Sequence, residues 1–136
     1  MKERDRETND IGGTYVEISI QDQEMWCYKD GVVVVDTPVV TGNVSKGYDT
    51  PSGSVWAIDD EKNMMQYLKG EGYTQPVTYW MPFNGNVGIH DADTWRSEYG
   101  GEIYKTSGSH GCVNTPTANA EKIFNTVEIG TPVIVY

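Results

Sequence analysis

Cysteine and histidine are both scarce in this chain, two of each in 136 residues. A pair of cysteines, Cys27 and Cys112, allows one disulfide at most and excludes a cysteine-stapled scaffold. The histidines stand twenty positions apart and no Cys-x-x-Cys pair accompanies them, so standard zinc spacing is missing and no metal or other cofactor is expected. Basic residues are few as well: ten Lys and Arg face twenty Asp and Glu, a formal charge of -10. With no basic stripe to track phosphates, nucleic acid is excluded as a partner, and the acidic balance disfavours anionic membranes. No apolar run approaches the roughly 20 residues of a spanning helix. The first ten residues lack the apolar stretch of a signal peptide, so an exported protein of this kind is expected to carry its targeting segment outside this sequence. Internal repeats and low-complexity tracts are absent, and the length suits one domain with its own core.

Strand patterns dominate what is present. Residues 1–13 are charged, then glycine-bearing, and read as a linker or remnant ahead of a domain spanning residues 14–136. Val16, Ile18 and Ile20 alternate, and residues 25–28 carry large aromatics; both stretches predict strands. Asp30-Gly31 predicts a hairpin turn into Val32-Val33-Val34-Val35, a run typical of a strand buried on both faces. Residues 39–42, 54–58, 77–83, 87–90 and 133–136 predict further strands, with Pro82 interrupting one of them late. Residues 59–74 show no period and predict a surface excursion without regular structure. Residues 91–108 predict a loop with at most one helical turn. A single helix is expected after Asn114, with Thr115 as its cap, Pro116 at the first helical position and Ile123, Phe124 and Val127 on its apolar face. The fold class is therefore mainly β, a β-sandwich or partly open barrel with one short helix.

The segment Ser109-His110-Gly111-Cys112-Val113-Asn114 has the residue types of a nucleophilic site placed in a loop. A thiolate attacks a carbonyl far better than a thiol, so a catalytic cysteine needs a base or a positive field beside it, and imidazole supplies either while lowering the thiol pKa. Gly111 lets the backbone bend so that successive N–H groups, those of Gly111 and Cys112 for instance, can converge on one oxyanion. Spacing does not settle which histidine is the base. The tight turn that must form the oxyanion hole also constrains His110, which favours His90, at a strand end that folding can place independently. Ser109 is then expected to orient that imidazole through its hydroxyl or carbonyl. Cys27, between Trp26 and Tyr28 in a strand, reads as a packing residue, and Asp91 and Asp93 read as solvated loop carboxylates.

His90, a glycine-bearing loop and Ser109-His110-Gly111-Cys112 together resemble the signature of the L,D-transpeptidase catalytic domain family. Tyr28-Lys29-Asp30-Gly31, the stretch from Thr37 to Gly42, Thr50-Pro51-Ser52-Gly53, Gly88-Ile89-His90-Asp91 and Gly130-Thr131-Pro132-Val133 are similar to that family's landmarks, in order. The resemblance implies a cysteine acyltransferase of the cell wall, acting outside the cytoplasm. It would cleave the bond between the third residue of a peptidoglycan stem tetrapeptide and its terminal D-alanine, then join the acyl group to an amine on a neighbouring stem. It also implies carbapenem β-lactams as covalent inhibitors. Carried onto this sequence, Cys112 matches the nucleophile, His90 the base and Ser109 its orienting residue. His110, Gly111 and Cys112 match the backbone donors, while Asn114, Trp95, Tyr79 and Met81 match substrate-contacting positions, with Trp80 on the same strand and Tyr99 in the same flap as Trp95. Asn114 departs from the arginine of many members. The residues leave other readings open: an L,D-carboxypeptidase in which water replaces the amine, a zinc hydrolase with His90, His110 and Cys112 as ligands, and a non-catalytic wall-binding β-module.

Overall fold

A computed structural model of the chain describes residues 13–70 and 73–136. They form nine strands and two α-helices: β1 (Tyr15–Ser19), β2 (Glu24–Lys29), β3 (Val32–Pro38), β4 (Val55–Ala57), β5 (Asn63–Gly70), β6 (Tyr73–Asn84), β7 (Val87–Asp91), α1 (Ile103–Ser107), β8 (Val113–Thr115), α2 (Thr117–Thr126) and β9 (Pro132–Val135). The strands make two sheets, one in the order β3-β2-β1-β9-β4 and the other β5-β6-β7-β8. Neighbours are antiparallel except for two parallel pairs, β1 with β9 and β7 with β8. This is the sandwich of the two architectures the sequence allowed. The expected linker lies outside the described residues apart from Gly13.

One core joins the two sheets. Val16, Ile18, Met25, Cys27, Val133 and Val135 of the first sheet meet Met81, Phe83, Ile89 and Val113 of the second, and Ile123 of α2 with Val127 beyond it closes one side. Burying each of these aliphatic side chains contributes about 1.5–3 kcal/mol. The Asp-Gly turn forms as expected: Asp30 and Gly31 both have positive φ, 52° and 82°, the geometry that matches the twist of the β2–β3 hairpin.

Four expectations are corrected. The valine run is not buried on both faces, because β3 is an edge strand: Val32 is 63 % and Val33 42 % exposed, Val35 is buried in the core and Val34 packs against it only in part. Within residues 59–74, expected to lack regular structure, 63–70 form β5, which pairs with β6 from Asn63↔Trp80 to Gly70↔Tyr73. Its period was hidden because Met64, Met65 and Tyr67 are all exposed and Met65, at φ 58°, breaks the alternation. Between the cysteine motif and the helix stands β8, so Thr115 belongs to a strand and Pro116 occupies the cap position, one residue later than expected. Finally, residues 39–42 join neither sheet as a strand and make only the isolated bridges Val40↔Asn114 and Gly42↔Ser109. The single turn foreseen within residues 91–108 is α1, which stands before the motif.

Candidate active site

The Val40↔Asn114 and Gly42↔Ser109 bridges hold the cysteine motif from one side. Val40 and Asn114 exchange both backbone hydrogen bonds (3.0 and 2.8 Å), Ser109 N–H donates to Thr41 O (3.0 Å) and Asn43 N–H donates to Ser109 O (2.8 Å). Gly42 must lack a side chain here, as a Cβ would stand 1.7 Å from Tyr48 O. Thr50 adds a buried clamp: its hydroxyl donates to Gly111 O (2.6 Å) and accepts from Gly42 N–H (2.9 Å). Gly111 takes φ 128°, a backbone conformation that L side chains rarely adopt, which turns the chain just before Cys112.

From the other side the motif is held by β7. The parallel register pairs Ile89 with Val113 and His90 with Asn114. Ile89 and Val113 are in the core, so by strand alternation Asn114 and His90 lie on the opposite face of the sheet. Cys112 directly precedes Val113 and therefore falls beside Gly88. Close approach demands glycine there too, since a Cβ on Gly88 would come within 2.6 Å of Pro82 Cα and 2.8 Å of Met81 O. The sequence-nominated imidazole, on β7, and thiol, at the entry to the neighbouring β8, thus come from adjoining segments.

His90 is buried between two indoles, 6.0 Å from the Trp80 ring and 5.8 Å from the Trp95 ring. Its Nδ1 lies 2.8 Å from Asp91 O. A carbonyl only accepts, so Nδ1 carries the proton and Nε2 keeps its lone pair. Burial holds the imidazole below its ordinary pKa, opposed by the Asp91 carbonyl and carboxylate and assisted by the nearby Arg96 charge. Asp91 is itself fixed, its Oδ1 accepting from Thr78 and Tyr79 N–H at 2.8 Å each. Asp91 is therefore a buried strand residue that orients the histidine, not a solvated loop carboxylate.

The orienting role expected of Ser109 is not what its groups do. Its hydroxyl donates to Cys112 O and accepts from Gly111 N–H (3.0 Å), and its carbonyl serves Asn43. Ser109 shapes the loop rather than the imidazole. The same contact commits Gly111 N–H, which removes it from the expected oxyanion pair. The thiol expectation also changes: burial pushes Cys112 up to about 11, with Gly88 as a smaller opposing influence. The Sγ–H donates to Asn86 O (3.3 Å), which favours the protonated thiol. His110 is exposed and packs against the Tyr48 ring at 4.8 Å. Cys27 is buried in the core, its thiol likewise pushed up to about 11 by burial, and both thiols are free.

Two of the expected substrate contacts are displaced by strand alternation. Met81 is fully buried in the core, and Tyr79, on the same face of β6, packs on Phe124 of α2 at 5.4 Å. Trp80, between them, is the β6 residue that faces His90. Asn114 is buried rather than open to substrate, because with its amide oxygen turned to Arg96 it accepts from Nη2 (3.2 Å) and Nε (3.1 Å). Trp95 is partly exposed at the rim beside His90. Asp93 and Arg96, which carried no role in the sequence, tie this loop down. Asp93 accepts from Tyr99 OH (2.7 Å) and from Thr117 N–H (3.1 Å), the latter capping α2, whose own cap residue Pro116 offers no side-chain bond. Arg96 also donates through Nη1 to Ser107 O (3.2 Å). Only the Asp-to-aromatic spacing hinted at the first contact, and nothing local marks the second. Among the described residues, no group of three or more His, Cys, Asp or Glu side chains could hold a metal ion.

A cysteine-bearing loop clasped between an irregular segment and a parallel strand pair is the distinguishing feature of this two-sheet sandwich. The sequence profile of the L,D-transpeptidase catalytic domain matches residues 13–135, and the chain belongs to that family. Among solved structures, it is 44 % identical to a mutant L,D-transpeptidase from Enterococcus faecium, covering 91 % of this chain and 50 % of that one with a TM-score of 0.84. It is 45 % identical to the catalytic domain of the E. faecium enzyme acylated by ertapenem, covering 91 % and 97 % with a TM-score of 0.79. An L,D-transpeptidase from Stackebrandtia nassauensis is 30 % identical, with coverage of 91 % and 55 % and a TM-score of 0.73. The chain thus spans about half the length of the first and the last of these. No curated protein matches it.

Proposed function

We propose that this chain is the catalytic unit of a peptidoglycan L,D-transpeptidase acting in the cell wall, outside the cytoplasm. The observation that carries the reading is the fixed tautomer of His90, which keeps a basic nitrogen on β7 while Cys112 stands at the entry to the paired β8. Cys112 is the nucleophile. Its proton passes to His90 as sulfur attacks the carbonyl carbon of the third stem residue, and the oxyanion is met by backbone donors of the motif, with Cys112 N–H the principal candidate. The C–N bond breaks, His90 returns the proton to the departing D-alanine nitrogen, and a thioester remains. An acceptor amine on another stem attacks that thioester, loses a proton to His90 and regenerates the thiol. A thiol resting above the neutral range suits this order, because sulfur becomes nucleophilic only when a substrate is in place and the base is engaged.

The test is intact-protein mass after incubation with a tetrapeptide-bearing muropeptide, with and without an amine acceptor. An acyl adduct on Cys112 that the amine discharges into a cross-linked product is expected, and an adduct discharged only by water would identify a carboxypeptidase instead. Carbapenem acylation should mark the same sulfur, as the ertapenem-acylated E. faecium domain suggests. The drug mass should be retained in Cys27→Ala and lost in Cys112→Ala, and an adduct mapped to Cys27 would overturn the assignment.

A further inference from the structure

The sequence has three arginines, and Arg96 is the one within the described residues. It is half-buried, and in a chain of charge -10 every contact of its guanidinium is to a neutral oxygen, those of Asn114 and Ser107. Among the described residues no carboxylate lies within ion-pair distance of it, and burial pulls its pKa down. Half-burying a cation without a counter-charge is costly, so an acidic protein that does so beside its reactive groups leaves the counter-charge to something that binds. The contacts above use three of the five N–H bonds of the fork, leaving one on each Nη.

Resting on the transpeptidase reading, we propose that Arg96 is the specificity residue that binds the C-terminal carboxylate of the donor stem. The dimensions agree. Asn114, on which the guanidinium sits, is two residues past Cys112 on the extended run into β8, roughly 7 Å. In the donor, the carboxylate of the terminal D-alanine lies about one residue, roughly 3.5 Å, beyond the attacked carbonyl carbon. An N–H···O contact of about 2.9 Å bridges the rest. Electrostatics agree as well, since a surface this acidic repels a carboxylate unless a local cation receives it. The fork geometry of arginine suits a two-oxygen group better than a lysine ammonium. Selecting a free carboxylate one residue past the scissile bond would make the enzyme count stem length, accepting a tetrapeptide and refusing a chain extended or capped at that end.

The experiment compares D-alanine release from a tetrapeptide muropeptide with D-alaninamide release from its C-terminal amide. The readout is the ratio of the two kcat/KM values within one protein, in which any general loss of fold or reactivity cancels. Wild type should prefer the acid by about tenfold or more, the scale of a charge-assisted hydrogen bond. Arg96→Gln should bring the ratio close to one, and Arg96→Lys should keep an intermediate preference. A wild type that cleaves both donors equally, or an Arg96→Gln variant that slows both in proportion, would show Arg96 to be only a clamp on the loop. Acylation by neither donor in wild type would instead refute the transpeptidase reading and the carboxylate role with it.

Discussion

Replacing Thr50 by valine keeps the side-chain shape and removes one oxygen, which isolates the clamp beneath the reactive loop. Thr50 is almost fully buried, and its hydroxyl serves two buried backbone groups at once, Gly111 O and Gly42 N–H. The valine variant would leave one acceptor and one donor unpaired in the interior, each costing about 1–3 kcal/mol. Because the loop can relax in part, a total of roughly 2–4 kcal/mol is expected, or about 7–14 °C in Tm for a domain of this size. Thr50→Ser retains the hydroxyl and should lose no more than about 1 kcal/mol of packing. Thermal and urea unfolding of the two variants give the comparison, and the carbapenem acylation rate of Cys112 reports whether the loop has slackened. A valine variant as stable as the serine variant would refute the clamp.

Three other expectations follow from the titratable groups. His90→Ala should lower acylation roughly 10²–10⁴-fold, the usual worth of a general base, whereas His110→Ala should cost less than about tenfold, since its ring lies against Tyr48. Burial holds His90 below its ordinary value, so the neutral base persists as the medium is acidified and kcat/KM should fall only below about pH 6.5; an acid limb above that would contradict the buried imidazole. Glu24 is raised to about 7 by its hydrogen bond to Asp36, by burial and by the charges of Asp36 and Asp22. Between its unfolded value and about 7 the folded protein holds a proton that the unfolded chain releases, so stability from this group is full below that window and falls as pH rises through it. Glu24→Gln should therefore flatten the pH dependence of urea unfolding between about pH 4.5 and 7, and an unchanged slope would remove Glu24 as its source.

How much of this was legible depended on whether a local pattern or a distant partner decided the outcome. The Asp30-Gly31 hairpin, the alternating strand at Val16 and Ile18, and the helix around Ile123 are written in neighbouring residues and appear where they were expected. The valine run misled because hydrophobicity does not say whether a strand lies at an edge. β5 was invisible because its stability comes from pairing with β6, not from a buried face. In the site, Cys112 and His90 were nominated from chemistry, but the hydrogen bonds around them depend on register. Tyr79 and Met81 were chosen on the wrong face of β6 while Trp80 between them faces His90. The Arg96–Asn114 contact joins residues from separate segments with no shared motif, and only three dimensions reveal it.

The parallel pairing of β1 with β9 has a consequence for the order in which the domain comes into being. β9 lies second from the edge of its sheet, between β1 and β4, and Val133, Ile134 and Val135 are buried. Until those residues leave the ribosome, β1 and β4 have no strand to join them and one wall of the core is missing. A chain elongating at about 5–20 residues per second therefore carries Cys112 for a second or more before its surroundings can close. The thiol is in that interval an ordinary cysteine of an unfinished polypeptide, without the surroundings that the folded protein gives it. On the proposed reading the site is complete only once β9 is in place, so chains that stop short of it should leave Cys112 unacylated by a tetrapeptide donor.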